Sequence, residues 1–173
     1  MTRLPILFGL VSFAGLVLPA SPPVSQASKA AQATVVSDAG FDANADDALA
    51  TMRLKAEQMG VSGVAVVAFF EGAPIQSWTS KMLVVGQYRK DPTATDKGSN
   101  LLGIAYAKAS EMADTLKDSG TSGRTPLTGE FGWNGGVIAP AKHGYFIVAF
   151  SGGKSEDDVL ISKEGLAKLK AAH

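Results

Sequence analysis

The chain has 173 residues, no cysteine, two histidines and equal numbers of basic and acidic residues, 16 of each. That composition excludes disulfide staples, thiolate metal sites and cysteine nucleophiles, and it makes a three-histidine zinc site or a two-histidine iron site hard to assemble. No cluster of Lys and Arg offers itself to nucleic acid phosphates or to anionic lipid.

The N-terminus reads as an export signal. Met1-Thr2-Arg3 gives a short positive start, and Leu4 to Leu18 is almost unbroken apolar sequence. The run is too short to span a bilayer but suits the core of a secretory signal. No stop-transfer charges follow it, which argues against an uncleaved anchor. Prolines and small residues lead to Ala31-Gln32-Ala33, the A-x-A form that a signal peptidase reads, with Ser25-Gln26-Ala27 a weaker alternative. The expectation is a signal peptide over 1–33 and a mature protein, periplasmic or secreted, that is not held at the membrane. Cleavage removes Arg3 and Lys29 and no acid, so the remainder is slightly acidic. About 140 residues are left, enough for one domain with its own core.

Residues 34–43 are small and polar and read as a flexible tether, with the domain over 44–173. Asn44 or Asp46 can cap a helix in which Ala48, Met52, Ala56 and Met59 recur at helical spacing, and Gly60 suits a left-handed C-terminal cap. Gly63 to Phe70 is a short apolar run bounded by turns, best read as a buried strand. Glu71-Gly72 turns the chain, and Ile75 to Val85 supplies a second strand. Residues 86–98 read as a loop. Ser99 or Asn100 then caps a helix running to about Asp118. Its apolar stripe of Leu101, Ile104, Ala105, Ala109, Met112 and Leu116 is broken only by Lys108. Such a lysine is either buried with a lowered pKa or lays its stem on the core with its head in water. After a loop over 119–128 come a short strand from Val137 to Ala139, a turn, and a buried strand from Tyr145 to Phe150. Ser151-Gly152-Gly153 breaks that strand, and a last helix starts at Ser155 with Leu160, Ile161, Leu166 and Leu169 available to the core. Hairpin-length turns between strands predict an α/β (α+β) fold: one compact domain, a largely antiparallel sheet of about five strands, and flanking helices.

Four segments together resemble the GlcG/HbpS family (DUF336). They are Val61 to Val67 after the glycine-ended helix, Ala105-Tyr106-Ala107-Lys108-Ala109, Gly135-Gly136-Val137-Ile138, and Phe150-Ser151-Gly152-Gly153 ahead of Glu156-Asp157. The resemblance covers roughly residues 46–170. It implies a compact α/β fold, homo-oligomers and, in some exported members, binding or degradation of haem. The second strand departs from the family pattern: where an Arg-Met-Asp-Gly-Ala segment is usual, this chain has Trp78-Thr79-Ser80-Lys81-Met82. Any ligand contact carried by the usual segment is not carried over.

The residues suggest where a ligand would sit. Gly152 and Gly153 after Ser151 let backbone N–H groups approach an anion at a helix start, or simply permit a sharp strand-to-helix turn. In the second case Glu156, Asp157 and Asp158 already satisfy that helix start. Phe131-Gly132-Trp133-Asn134-Gly135-Gly136 offers one face of a flat pocket, or an Asn-Gly turn beside ordinary core aromatics. Glu130 and Arg124 stand ready to add polar contacts. The expected binding set is Glu130, Trp133, Asn134, Gly135, Gly136, Ser151, Gly152 and Gly153. If the ligand is haem, as the resemblance implies, His143, Met82 and Tyr106 are candidate axial ligands, since haem iron accepts His, Met or Tyr. Catalytic motifs are absent: only His143 is available for a triad, and neither a Walker loop nor a GxGxxG follows a strand. The favoured reading is an exported accessory protein binding a small planar anion. The alternatives are an enzyme of unassigned reaction, such as oxidative haem degradation, or a structural subunit. The aromatics Phe69, Phe70, Trp78, Phe131, Trp133, Tyr145, Phe146 and Phe150 are many for so small a domain to hide and add an expectation of self-association.

The export reading makes a direct prediction. Intact-mass measurement on the exported fraction should give a chain beginning near Thr34, and a full-length mass there would refute it.

Overall fold

The computed structural model describes residues 41–171; the expected signal peptide and residues 34–40 of the expected tether lie outside them. The elements are α1 (Phe41–Gln58), β1 (Gly63–Glu71), β2 (Thr79–Val85), β3 (Arg89–Lys90), β4 (Ser99–Asn100), α2 (Leu101–Thr115), β5 (Gly136–Pro140), β6 (Gly144–Ser151) and α3 (Ser155–Ala171). Two hairpins make the main sheet, in the order β2-β1-β6-β5. Within them Gly63 faces Val85 and Gly136 faces Ala149, and the antiparallel β1–β6 pairing from Val64–Ser151 to Glu71–Gly144 joins the two. One end of the sheet therefore gathers the starts of β1 and β5 and the ends of β2 and β6.

Alternation along the central strands builds two cores. Ala65, Val67 and Phe69 of β1 and Phe146, Val148 and Phe150 of β6 pack under α1 and α3. The residues between them, Val64, Val66, Ala68 and Phe70 with Ile147 and Ala149, pack under α2. Both faces of β1 and β6 are thus covered, which is why these strands read as continuous apolar runs. Each fully buried Val, Ile or Phe contributes about 1.5–3 kcal/mol. The free edge of β5 is blunted by the segment after α2. Asp118 accepts from Ile138 N–H at 2.9 Å and Ser119 Oγ from Gly136 N–H at 2.8 Å, which removes donors an edge strand would otherwise present.

The α+β class and antiparallel sheet are as the sequence implies, and Gly60 is left-handed at φ +67. The differences have local causes. Residues 41–43 are not tether but the first turn of α1, anchored by Phe41, which is fully buried 6.1 Å from the Phe69 ring. The second strand begins at Thr79 because Trp78 instead packs on Tyr106. The loop over 86–98 contains β3, which pairs with β4 as a separate two-stranded ribbon, so the main sheet has four strands. Asn100 does cap α2, accepting from Gly103 N–H at 3.0 Å, but the helix stops at Thr115 because Leu116 turns left-handed. Leu160 is exposed. Of the aromatics expected to overflow the core, Phe69, Phe70, Phe146 and Phe150 are buried, while Phe131 and Trp133 are not. No described helix is long and apolar enough to cross a membrane.

Phe41→Ala should cost about 3–5 kcal/mol in chemical denaturation, the usual range for a buried Phe. A tether residue would cost nothing measurable.

Candidate functional site

At the gathered end of the sheet, α2, β6, the start of α3 and the β3–β4 ribbon surround a cleft of about 120 Å³. Its floor is an ion pair. Lys108 occupies a position on the apolar stripe of α2, so the helix carries it inward, where it is 3% exposed. Its ammonium donates to Phe150 O at 2.8 Å and to Asp158 Oδ2 at 2.9 Å. Asp158 lies one turn into α3, and its Oδ1 accepts from Gly153 N–H at 2.9 Å, with the Gly152 N–H also directed at the carboxylate. Burial pushes the Lys108 pKa down and the Asp158 pKa up, while each partner's charge opposes the change.

Three glycines make room for this arrangement. Gly135 sits at φ +136, and a Cβ there would run into the Lys108 ammonium. Its carbonyl accepts from Phe150 N–H and from Ser162 Oγ–H, so the segment ahead of β5 is fixed to β6 and α3. A Cβ on Gly152 would strike Ser62 O, and one on Gly153 would lie 3.0 Å from Val61 Cγ1. Neither Gly152 nor Gly153 has positive φ; close approach of backbone demands glycine at Gly152, and side chains crowd Gly153.

The expected binding residues divide accordingly. Trp133 and Asn134 form one side of the cleft, and Ser151, Gly152 and Gly153 another. Trp133 is 49% exposed and stacks on Phe131 at 4.8 Å, so neither ring is core. The expectation that the glycine N–H groups are free for a ligand is corrected: they already serve Asp158. Gly135 lies against Lys108, and Gly136 packs on Met112 and Ser119, away from the opening. Glu130 does not reach the cleft. Arg124 holds it bidentately at 2.7 and 2.8 Å and also binds Asp114, and Glu130 accepts from Leu127 N–H. The Arg124 hydrogen bonds keep the Glu130 carboxyl below its ordinary range. This clip shapes the loop that carries Phe131 and Trp133.

The three axial-ligand candidates lie away from the cleft, and His143 lies far from the other two, which share the core under α2. His143 is exposed in the β5–β6 turn, about 25 Å down the strand from Ser151. Met82 pairs across from Val66, and Tyr106 packs on Trp78. None of the three lines the cleft, and no group of three metal-ligating side chains occurs among the described residues. Sequence reasoning missed Lys90, Ser99, Leu101 and Ile104, which complete the walls because the ribbon folds back over α2. Glu111 was missed as a second polar break in the stripe; it is 2% exposed and accepts from Gly120 N–H at 2.9 Å.

No family model matches the chain, and no curated protein matches it. Among solved structures it is similar to the crystal structure of the Klebsiella pneumoniae protein ORFY, described as DUF336. The two share 15% identity and a TM-score of 0.50, over 75% of this chain and 89% of that one. The chain has the fold of a DUF336 protein. At that identity the likeness is one of fold, and the ion pair of the cleft is described from this chain alone.

Removing one partner of a buried pair leaves an uncompensated charge, whereas replacing both is often neutral or stabilising. Lys108→Met and Asp158→Asn should each cost about 3–5 kcal/mol, and the double variant should recover most of the loss in urea denaturation. Simple additivity would mean that the two residues do not act as a pair.

Proposed function

We propose that this protein belongs to the DUF336 group and binds a small ligand in the cleft above Lys108 and Asp158, outside the cytoplasm. The observation that carries the reading is the pairing of that buried ion pair with a half-exposed Trp133 at the same opening. An apolar floor would serve the fold as well, so the charges are better explained by what enters the cleft. Size limits the occupant. Drug-sized ligands fill about 300–1,000 Å³, and this space takes about ten water-sized atoms. A tetrapyrrole would reach it with no more than an edge.

Ligand screening by thermal shift on the mature domain finds the occupant, since binding to the native state raises apparent stability. Trp133→Ala should then change stability by less than about 1 kcal/mol, as for a surface residue, and weaken binding of the hit about tenfold or more. Unchanged affinity would place the ligand elsewhere.

A second reading, proton-transfer catalysis, is favoured by one feature. Burial drives both Lys108 and Asp158 towards neutrality inside a cleft, the pattern of acid–base pairs. Recovery of the ligand separates the two: a binder returns it intact, whereas an enzyme consumes it and loses that activity with Lys108→Met.

A further inference from the structure

We infer that the cleft selects compact monocarboxylates, with Ser151 and Lys90 holding the carboxylate and Trp133 flanking a flat body of at most about ten heavy atoms. The inference rests on the cleft being the ligand site and adds the class of ligand. It begins with the charges. Asp158 is the one acid on the walls, and both its oxygens are committed, Oδ2 to Lys108 and Oδ1 to Gly153 N–H. Lys108 and Asp158 cancel, which leaves Lys90, an exposed residue of the cleft wall, without an ion-pair partner among the described residues. The cleft therefore carries a net single positive charge, matched by a monoanion.

The second observation is Ser151. It continues the alternation of Ile147 and Ala149 towards the α2 face, the face on which the cleft opens. The residue is 4% exposed, yet its hydroxyl makes no hydrogen bond among the described residues. A hydroxyl with no protein partner that opens onto a polar cavity from an otherwise buried residue is completed by a ligand atom or by water. Ser99 and Ser155 add hydroxyls around the same space, and α2 begins there with no acid in its first turn, so that turn contributes partial positive charge. The one carboxylate in the walls, Asp158, is neutralised by Lys108. A neutral amide of the same shape has no partner for Lys90 and presents N–H donors where the wall itself donates.

The test is calorimetric titration of the mature protein with benzoate, hexanoate and inorganic phosphate, against benzamide and hexanamide as neutral isosteres. The expected result is that at least one carboxylate binds about tenfold more tightly than its amide, as a charge-assisted hydrogen bond implies. Ser151→Ala and Lys90→Gln, which remove one hydroxyl and one exposed charge, should each weaken that carboxylate several-fold, and Lys90→Gln should weaken it more than it weakens the amide. Equal binding of acid and amide, both lost in Trp133→Ala, overturns the carboxylate class and keeps the cleft as the site. Phosphate binding more tightly than either carboxylate overturns the carboxylate class. No binding of any probe, with none from a neutral fragment set perturbing the Trp133 indole resonance, overturns the cleft reading along with the class.

Discussion

The architecture of the functional end depends on a single ion pair. α2 covers one face of the sheet and α3 the other, so the two helices meet only where the sheet stops. Lys108 reaches from α2 past the end of β6 and Asp158 answers from α3, with the Phe150 carbonyl accepting a second hydrogen bond from the same ammonium. The pair thus ties the two helical layers together around the strand end. The local glycines follow from it: Gly135 must lack a Cβ for the ammonium to fit, and the Gly152–Gly153 turn must bring its N–H groups to the carboxylate. A hydrophobic contact would hold the layers equally well, but it would not fix the directions of so many backbone groups.

The cleft is shaped by a second, more exposed network. Arg124, Glu130 and Asp114 close the loop ahead of β5. The Arg124–Asp114 pair is exposed and contributes little to global stability, while Glu130 is largely covered and held bidentately; together they present the stacked Phe131 and Trp133 rings beside the opening. Rigidity at the floor and a clipped loop at the side amount to preorganisation, which lowers the ordering cost of binding.

Much of the fold was legible because its strands obey simple rules. The continuous apolar runs of β1 and β6 announced strands covered on both faces, and Asn100 and Gly60 marked helix ends by their own chemistry. What failed to show was tertiary. Phe41 looked like part of a linker because its partner, Phe69, lies far along the chain. The β3–β4 ribbon pairs only two residues on each side, too few to leave a period in the sequence. At the site, Trp133, Asn134 and the Ser151–Gly153 turn could be grouped from their spacing around one hairpin. Lys108 stood out as a break in an apolar stripe, but one helix cannot reveal that the matching charge is fifty residues on in another. Glycine N–H groups look free in a sequence; only the placement of Asp158 shows that they are taken.

The central pairing of the sheet carries a consequence for how the chain folds. The β1–β2 and β5–β6 hairpins are local, and each can begin to form alone. The β1–β6 ladder that unites them matches Val64 with Ser151, near opposite ends of the described chain. Loop-closure entropy has to be overcome before that ladder returns any burial. The step is therefore slow relative to hairpin formation, and until it is complete the apolar faces of both hairpins stand open to other chains.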